Sequence, residues 1–191
     1  VARHFPQLRR PLAPDPAAPW TVLVEQSDSE GEAHARGLFE GLLEAALESG
    51  LIADAAVAES VAQSKAMWHL RESISLAQAE EGLNIKHDIS VPISRIAAFV
   101  ASTDAALLQA VPGVRLVDFG HLGDGNLHYN VQAPLEVPAD RFLIEHEALV
   151  NRIVYDAVVA HGGSISAEHG IGELKRDELA QRKDAVALRL M

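Results

Sequence analysis

Gly120-His121-Leu122-Gly123-Asp124-Gly125-Asn126-Leu127-His128-Tyr129-Asn130 sets two imidazoles on either side of a turn made of Gly, Asp and Asn. The flanking segments, Val114 to Phe119 and Leu127 to Gln132, read as strands. Asp124-Gly125 is a favoured two-residue hairpin loop, and that loop would place His121 opposite His128. Opposed residues have Cβ atoms roughly 4.5–5.5 Å apart, close enough for both rings to grip one metal ion. Asn130, two residues beyond His128, shares that face. Glu168, in the glycine-bounded stretch Ser166-Ala167-Glu168-His169-Gly170, supplies a third ligand. Two His and one carboxylate leave a divalent cation with open positions, a catalytic pattern rather than a structural one. The plainer alternative makes these ordinary surface or core histidines and an ordinary acid. His169 follows Glu168 directly, so both could serve one site only if the chain bends there. Imidazole as a class titrates near neutrality, which suits His169 to accept a proton beside a Lewis acid; a capping or packing role is the alternative.

Other candidates are less specific. Arg71 and Ser75 are four apart and share a helix face, and an Arg fork matches a carboxylate. A surface Arg paired with a neighbouring acid would look the same. Lys86 lies on the polar side of its segment with Asp88, where a simple Lys86–Asp88 pair is the plainer outcome. No Gly-x-Gly-x-x-Gly follows a strand, and the P-loop, His-Glu-x-x-His and Gly-x-Ser-x-Gly signatures are absent. Gly162-Gly163 reads as a helix-to-strand turn rather than a phosphate cradle.

The elements that must carry these residues follow from periodicity. Five prolines in residues 1–19 favour an extended linker, which leaves residues 20–191 as the domain. Trp20 to Glu25 is a strand. Ser29 with Glu32 forms a capping box for a helix to about Ser49, with Leu38, Leu42, Ala45 and Ala46 as its apolar stripe and Gly50 as its stop. Ala55 to Ala58 is a short strand, and Ser60 caps a helix to Glu80. Asn84 to Val91 alternates, with Ile85, His87, Ile89 and Val91 facing one way. Ser94 opens a helix to about Leu108, and Pro138-Ala139-Asp140 opens another to about Ala160. Ser164 to Ser166 is a short strand, and a last helix starts near Gly172. This order predicts an α+β fold: two ferredoxin-like units sharing an antiparallel sheet with helices on one face.

The 191 residues, 48% of them hydrophobic, suffice for a substantial core. A net charge of −11 with no basic stripe argues against nucleic acid. The clustered Arg3, Arg9 and Arg10 lie in the linker. There is no apolar run of membrane-spanning length, and no secretory signal is visible in this stretch. With zero cysteines, disulfides and Cys-ligated metals are excluded, while the redox compartment stays open.

Gly120 to His128 together with Ser166-Ala-Glu-His-Gly-Ile-Gly172 resembles the C-terminal substrate domain of FAD-linked oxidases of the vanillyl-alcohol-oxidase type. Leu70-Arg-Glu-Ser-Ile74 and Lys86-His-Asp-Ile-Ser-Val-Pro92 are most similar to the D-2-hydroxyglutarate dehydrogenase branch. The resemblance implies that His121, His128 and Glu168 hold a divalent metal, Zn²⁺, that Asn130 orients substrate, and that His169 takes the hydroxyl proton. It implies that Arg71, Ser75 and Lys86 bind the distal carboxylate; Ser75 stands where the branch commonly has Thr. The implied reaction oxidises a D-2-hydroxy acid to a 2-oxo acid, with hydride passing to FAD. A D-lactate or glycolate-type dehydrogenase is the alternative within the family. From the residues alone, a metal-dependent hydrolase and a non-catalytic assembly module stay open.

The family carries an FAD-binding domain N-terminal to such a region, and nothing in this chain resembles it. An Asn-Pro-Gly-Lys-like ending is also missing. Val1 and Met191 are therefore expected to be cuts in a longer protein, and this stretch alone is not expected to bind FAD or turn over. The resemblance further implies a homodimer and a bacterial cytoplasmic or mitochondrial-matrix location.

Overall fold

The computed structural model describes residues 1–190; Met191, the last residue of the expected domain, lies outside them. Two compact units divide the chain, residues 1–81 and 82–191.

The first unit holds α1 (Glu32–Glu48) and α2 (Val61–Glu80). Ser60 caps α2 as expected, its side chain accepting from the Gln63 N–H at 3.2 Å. The start of α1 departs from expectation. Its cap is Gly31, at φ 133° and without a side-chain bond, rather than Ser29. Asp28 turns the chain instead, accepting the Glu30 N–H at 2.6 Å. The strands expected at Trp20–Glu25 and Ala55–Ala58 are not formed. Without a sheet to cover it, the apolar stripe of α1 stays open, with Leu38 and Leu42 at 52% and 60% exposure.

The second unit holds one antiparallel sheet of three strands, β1 (Asn84–Ser90), β2 (Arg115–His121) and β3 (Asn126–Gln132), in the order β1-β3-β2. The α+β character stands, and the sheet formed among the described residues has these three strands. Pro92 ends β1 and leads through a 3₁₀ turn, Ile93–Arg95, into α3 (Ile96–Ala110). Pro138 caps α4 (Ala139–Ala160), accepting the Phe142 N–H at 3.0 Å. The four-residue spacing of Phe142, Val150, Val154 and Val158 lays α4 along β1, with α3 beside it. These side chains meet Ile85, Ile89, Tyr129 and Val131 in a core that excludes water. The last segment begins its helices later than expected, as α5 (Arg176–Arg182) and α6 (Ala185–Leu190). Ser164–Ser166 forms a single bridge, Ser90 to Ser164, instead of a strand.

The hairpin register differs from the two-residue loop. The connection runs from Leu122 to Gly125, a 3₁₀ turn closed by Gly125 in the left-handed region at φ 69°. His121 therefore faces Asn126, and His128 faces Phe119. Tertiary contact decides this. The Gly125 carbonyl accepts the Val91 N–H at 2.9 Å, and a Cβ at Gly125 would lie 2.3 Å from the Val91 oxygen. A slip of two positions preserves the face, so His121 and His128 still point the same way, as diagonal neighbours.

The helix-covered face of the sheet holds three titratable groups in one row, His87 and Tyr129 buried and Asp118 half-buried. His87 has ring nitrogens 2.8 Å from the Tyr129 carbonyl and 2.9 Å from Asn151 Oδ1, and burial lowers its pKa to about 4. The Tyr129 hydroxyl donates to Asp104 at 2.6 Å. Burial, and then the Asp104 charge, raise the Asp118 pKa to about 7. Between about pH 4 and 7 Asp118 thus holds in the folded protein a proton that it releases in the unfolded chain. Asp118 costs stability progressively as pH rises through that window, and its full cost stands above it. Asp118→Asn is expected to raise the melting temperature by several degrees at pH 8 and not at pH 4, corresponding to on the order of 3 kcal/mol. Equal gains at both pH values in thermal melts would contradict the assignment.

Candidate functional site

The sheet face opposite the helices carries the chemistry. In β1, β3 and β2 its rows are Lys86–Asn130–Val117, Asp88–His128–Phe119 and Ser90–Asn126–His121. Most sheet faces turned from a helix layer are simply solvated. Here Asp88 is 6% exposed, Asn126 3% and Asn130 4%, so the face is a closed polar surface with His121 and Lys86 exposed.

A second segment closes over it. The Ser90–Ser164 bridge bonds in both directions, at 3.0 and 2.8 Å, and brings the chain after α4 along the free edge of β1. Gly163 permits this approach, since a Cβ there would meet the Ser90 oxygen at 2.2 Å. Lys175 Nζ then ties the segment down, donating to the Ile165 carbonyl at 2.8 Å and the Asp88 carbonyl at 3.4 Å. Burial lowers the Lys175 pKa, and the Asp88 charge opposes that. Finally Asp88 Oδ2 accepts the backbone N–H groups of Glu168 and His169, both at 2.8 Å. This is the bend that lets two adjacent residues face one place.

The result is a carboxylate between two imidazoles. Glu168 Oε2 lies 3.5 Å from His128 Nε2, and Glu168 Oε1 lies 3.9 Å from His121 Nε2. His128 Nδ1 faces Asp88 Oδ1 at 3.9 Å, and His169 Nδ1 faces Asp88 Oδ2 at 3.6 Å. The His169 and His128 rings are 6.0 Å apart between centroids, and Phe119 stacks obliquely on His128 at 4.9 Å. Asp88, His128 and Glu168 offer donor atoms that all lie within 4.8 Å of one another. Burial pushes the Asp88 pKa up, but the amides of His169 and Glu168, the Asn126 side chain and the nearby His169 outweigh it. Its carboxyl is held below the ordinary value.

The donor chemistry fits a divalent cation. Nitrogen and oxygen donors at ~2.0–2.2 Å around a tetrahedral Zn²⁺ stand roughly 3.4 Å apart, near the spacing of His128 Nε2 from Glu168. Gly120 and Gly163 are no phosphate cradle: an added Cβ there would meet the Asn126 and Ser90 carbonyls at 2.1 and 2.2 Å.

Of the residues singled out from sequence, His121, His128, Glu168 and His169 converge, and Asn130 and Lys86 share the face one row away. Arg71 and Ser75 lie on α2 in the first unit, Arg71 half-buried and Ser75 exposed. Asp88 was missed as anything but a surface partner for Lys86. The pairing of β1 with β3, which sets Asp88 opposite His128, is the signal that would have found it. Asn126, donating to Asp88 Oδ1 at 2.9 Å, was missed with it.

The sequence profile of the family described as "FAD linked oxidases, C-terminal domain" matches residues 3–191. The D-2-hydroxyglutarate dehydrogenase of Xanthomonas citri pv. viticola is 38% identical over 175 residues, 91% of this chain and 36% of that protein. The mitochondrial D-2-hydroxyglutarate dehydrogenase of Arabidopsis thaliana is 32% identical over 191 residues, 100% of this chain and 32% of that protein. Its Bos taurus counterpart is 35% identical over 174 residues, 91% of this chain and 30% of that protein. The chain thus spans about a third of the length of these relatives. No helix among the described residues is long and apolar enough to cross a membrane. A profile that runs nearly end to end, and relatives above 30% identity over nine-tenths or more of its length, place the chain in a family: it belongs to the FAD linked oxidases, as their C-terminal domain.

Proposed function

We propose that this chain is the substrate- and metal-binding part of an FAD-dependent dehydrogenase that oxidises a D-2-hydroxy acid of the D-2-hydroxyglutarate type to the 2-oxo acid. The observation that carries the reading is Glu168 standing between His121 and His128 with His169 beside it. Family membership favours it over a metal-dependent hydrolase.

His121, His128 and Glu168 hold the divalent cation, Zn²⁺. A bound cation supplies Lewis acidity toward the substrate hydroxyl and the adjacent carboxylate oxygen. FAD, held by a domain outside this chain, supplies the hydride acceptor. His169 accepts the hydroxyl proton on an imidazole nitrogen as the carbonyl forms. Asn130, fixed on the buried part of the sheet face, orients the substrate carboxylate. Arg71, Ser75 and Lys86 bind the second carboxylate, which selects a dicarboxylate over D-lactate. A second ferredoxin-like unit belongs to the same proposal. The chain order of segment 20–25, α1, segment 55–58 and α2 suits such a unit, and the open stripe of α1 is the surface such a sheet covers.

The experiment uses the full-length flavoprotein and steady-state kinetics with D-2-hydroxyglutarate and D-lactate. Arg71→Ala is expected to raise KM for the dicarboxylate about 10- to 100-fold, the loss of one charged hydrogen-bond pair, and to change KM for D-lactate little. Equal effects on both substrates remove Arg71 from the distal-carboxylate role. If neither acid reduces the flavin, the functional reading falls.

A further inference from the structure

We propose that Asp88 is the positioning residue of this centre: one carboxylate oxygen fixes the Glu168–His169 turn, and the other orients the His128 ring. This rests on the metal-binding reading above and extends it to a residue that reading leaves without a part.

Asp88 looks at first like a ligand, because its oxygens lie near those of Glu168 and the nitrogens of His128. Its hydrogen bonds argue otherwise. Oδ2 already accepts two backbone N–H groups, from Glu168 and His169, both at 2.8 Å. Oδ1 already accepts the Asn126 side-chain amide at 2.9 Å. A carboxylate offers about four acceptor positions, so one remains. His128 Nδ1 lies 3.9 Å from Oδ1, a contact longer than a hydrogen bond, on the side of the ring away from Glu168. A carboxylate at the far nitrogen of a ligating imidazole fixes its tautomer and its orientation. With three donors satisfied, the group tolerates being 6% exposed in the middle of a strand.

The placement also explains how a distant segment is brought into register. Glu168 and His169 are 80 and 81 residues from Asp88 in sequence. Their consecutive amides meet one oxygen, so the two side chains diverge from a single anchored bend. One side chain goes toward His121 and His128, and the other remains beside Asp88. The metal-binding acid and the proton acceptor are thereby set by the same oxygen.

Two variants distinguish the two tasks. Asp88→Ala has no side-chain acceptor, so the Glu168, His169 and Asn126 amides all lose their partner. Asp88→Asn with Asn126→Asp restores an acceptor for the backbone amides and reverses the bond to residue 126. It leaves a donor facing His128 Nδ1. In the full-length flavoprotein, cobalt(II) affinity is read from its visible absorption, and the clamp from protection of the 166–170 amides against hydrogen exchange. Asp88→Ala is expected to weaken cobalt binding 10- to 100-fold and to lose the protection. The double exchange, in which each of these donors again has an acceptor, is expected to regain protection but not cobalt affinity. Full protection in a folded Asp88→Ala protein, or wild-type cobalt affinity in the double exchange, overturns the proposal. A wild-type protein that takes up no cobalt sinks the metal reading itself, and this inference with it.

Discussion

His128→Ala is expected to strip the full-length flavoprotein of its divalent metal and to lower kcat/KM about 1,000-fold or more. His128 is the hub of the centre, with Nε2 turned to Glu168 at 3.5 Å and Nδ1 turned to Asp88 at 3.9 Å. Without it, Glu168 is left with His121 alone, at 3.9 Å and half exposed, which is too few donors to retain a cation against water. Loss of a Lewis acid that stabilises developing charge costs several kcal/mol of barrier, hence the scale of the effect. Elemental analysis gives metal per chain, and turnover is measured on the same samples. Wild-type metal stoichiometry in both His128→Ala and His121→Ala would remove these residues from the site.

The second large effect belongs to His169. His169→Ala is expected to reduce kcat by about 100- to 10,000-fold, the range of a positioned general base. Metal content and KM should change little, because the backbone N–H of residue 169, and not its ring, completes the clamp on Asp88. The ring itself is 71% exposed, so its loss should not unfold the protein. Stopped-flow reduction of the flavin isolates the chemical step from product release. A reductive rate within about fivefold of wild type would assign the proton to another group.

These two variants separate what the sequence could reveal from what it could not. His121 and His128 stand out in the sequence because they flank a run of Gly, Asp and Asn, and Glu168 because glycines close the stretch that follows it. The face shared by His121 and His128 survived a wrong register, since the hairpin slipped by two residues and strand parity has period two. The register itself was not legible. Gly125 is held by Val91, a residue 34 positions earlier, and local turn preference has no access to that contact. The core face of β1 was clear from the alternation Ile85, His87, Ile89. Its other face is marked only as polar, because alternation reports side-chain character and not what later covers it.

Asp88 shows the same boundary from the other side. An acid between Lys86 and Ser90 carries no local mark of burial, and its partners come from residues 126, 168 and 169. The strands at 20–25 and 55–58 failed in the opposite direction. Val22 and Val24 have strand propensity, yet a strand exists only where another backbone completes its hydrogen bonds. Helix α2 and helix α4 were placed closely by their caps, Ser60 and Pro138, because capping is decided within one turn.

The central claim is that two imidazoles of the hairpin and one carboxylate of the clamped bend surround a single cation. Crystals of the zinc-loaded full-length flavoprotein, measured on both sides of the zinc absorption edge, test it most directly. The account predicts one anomalous peak within bonding distance of His121 Nε2, His128 Nε2 and the Glu168 carboxylate. A peak elsewhere in the protein, or no peak between these three side chains, contradicts it.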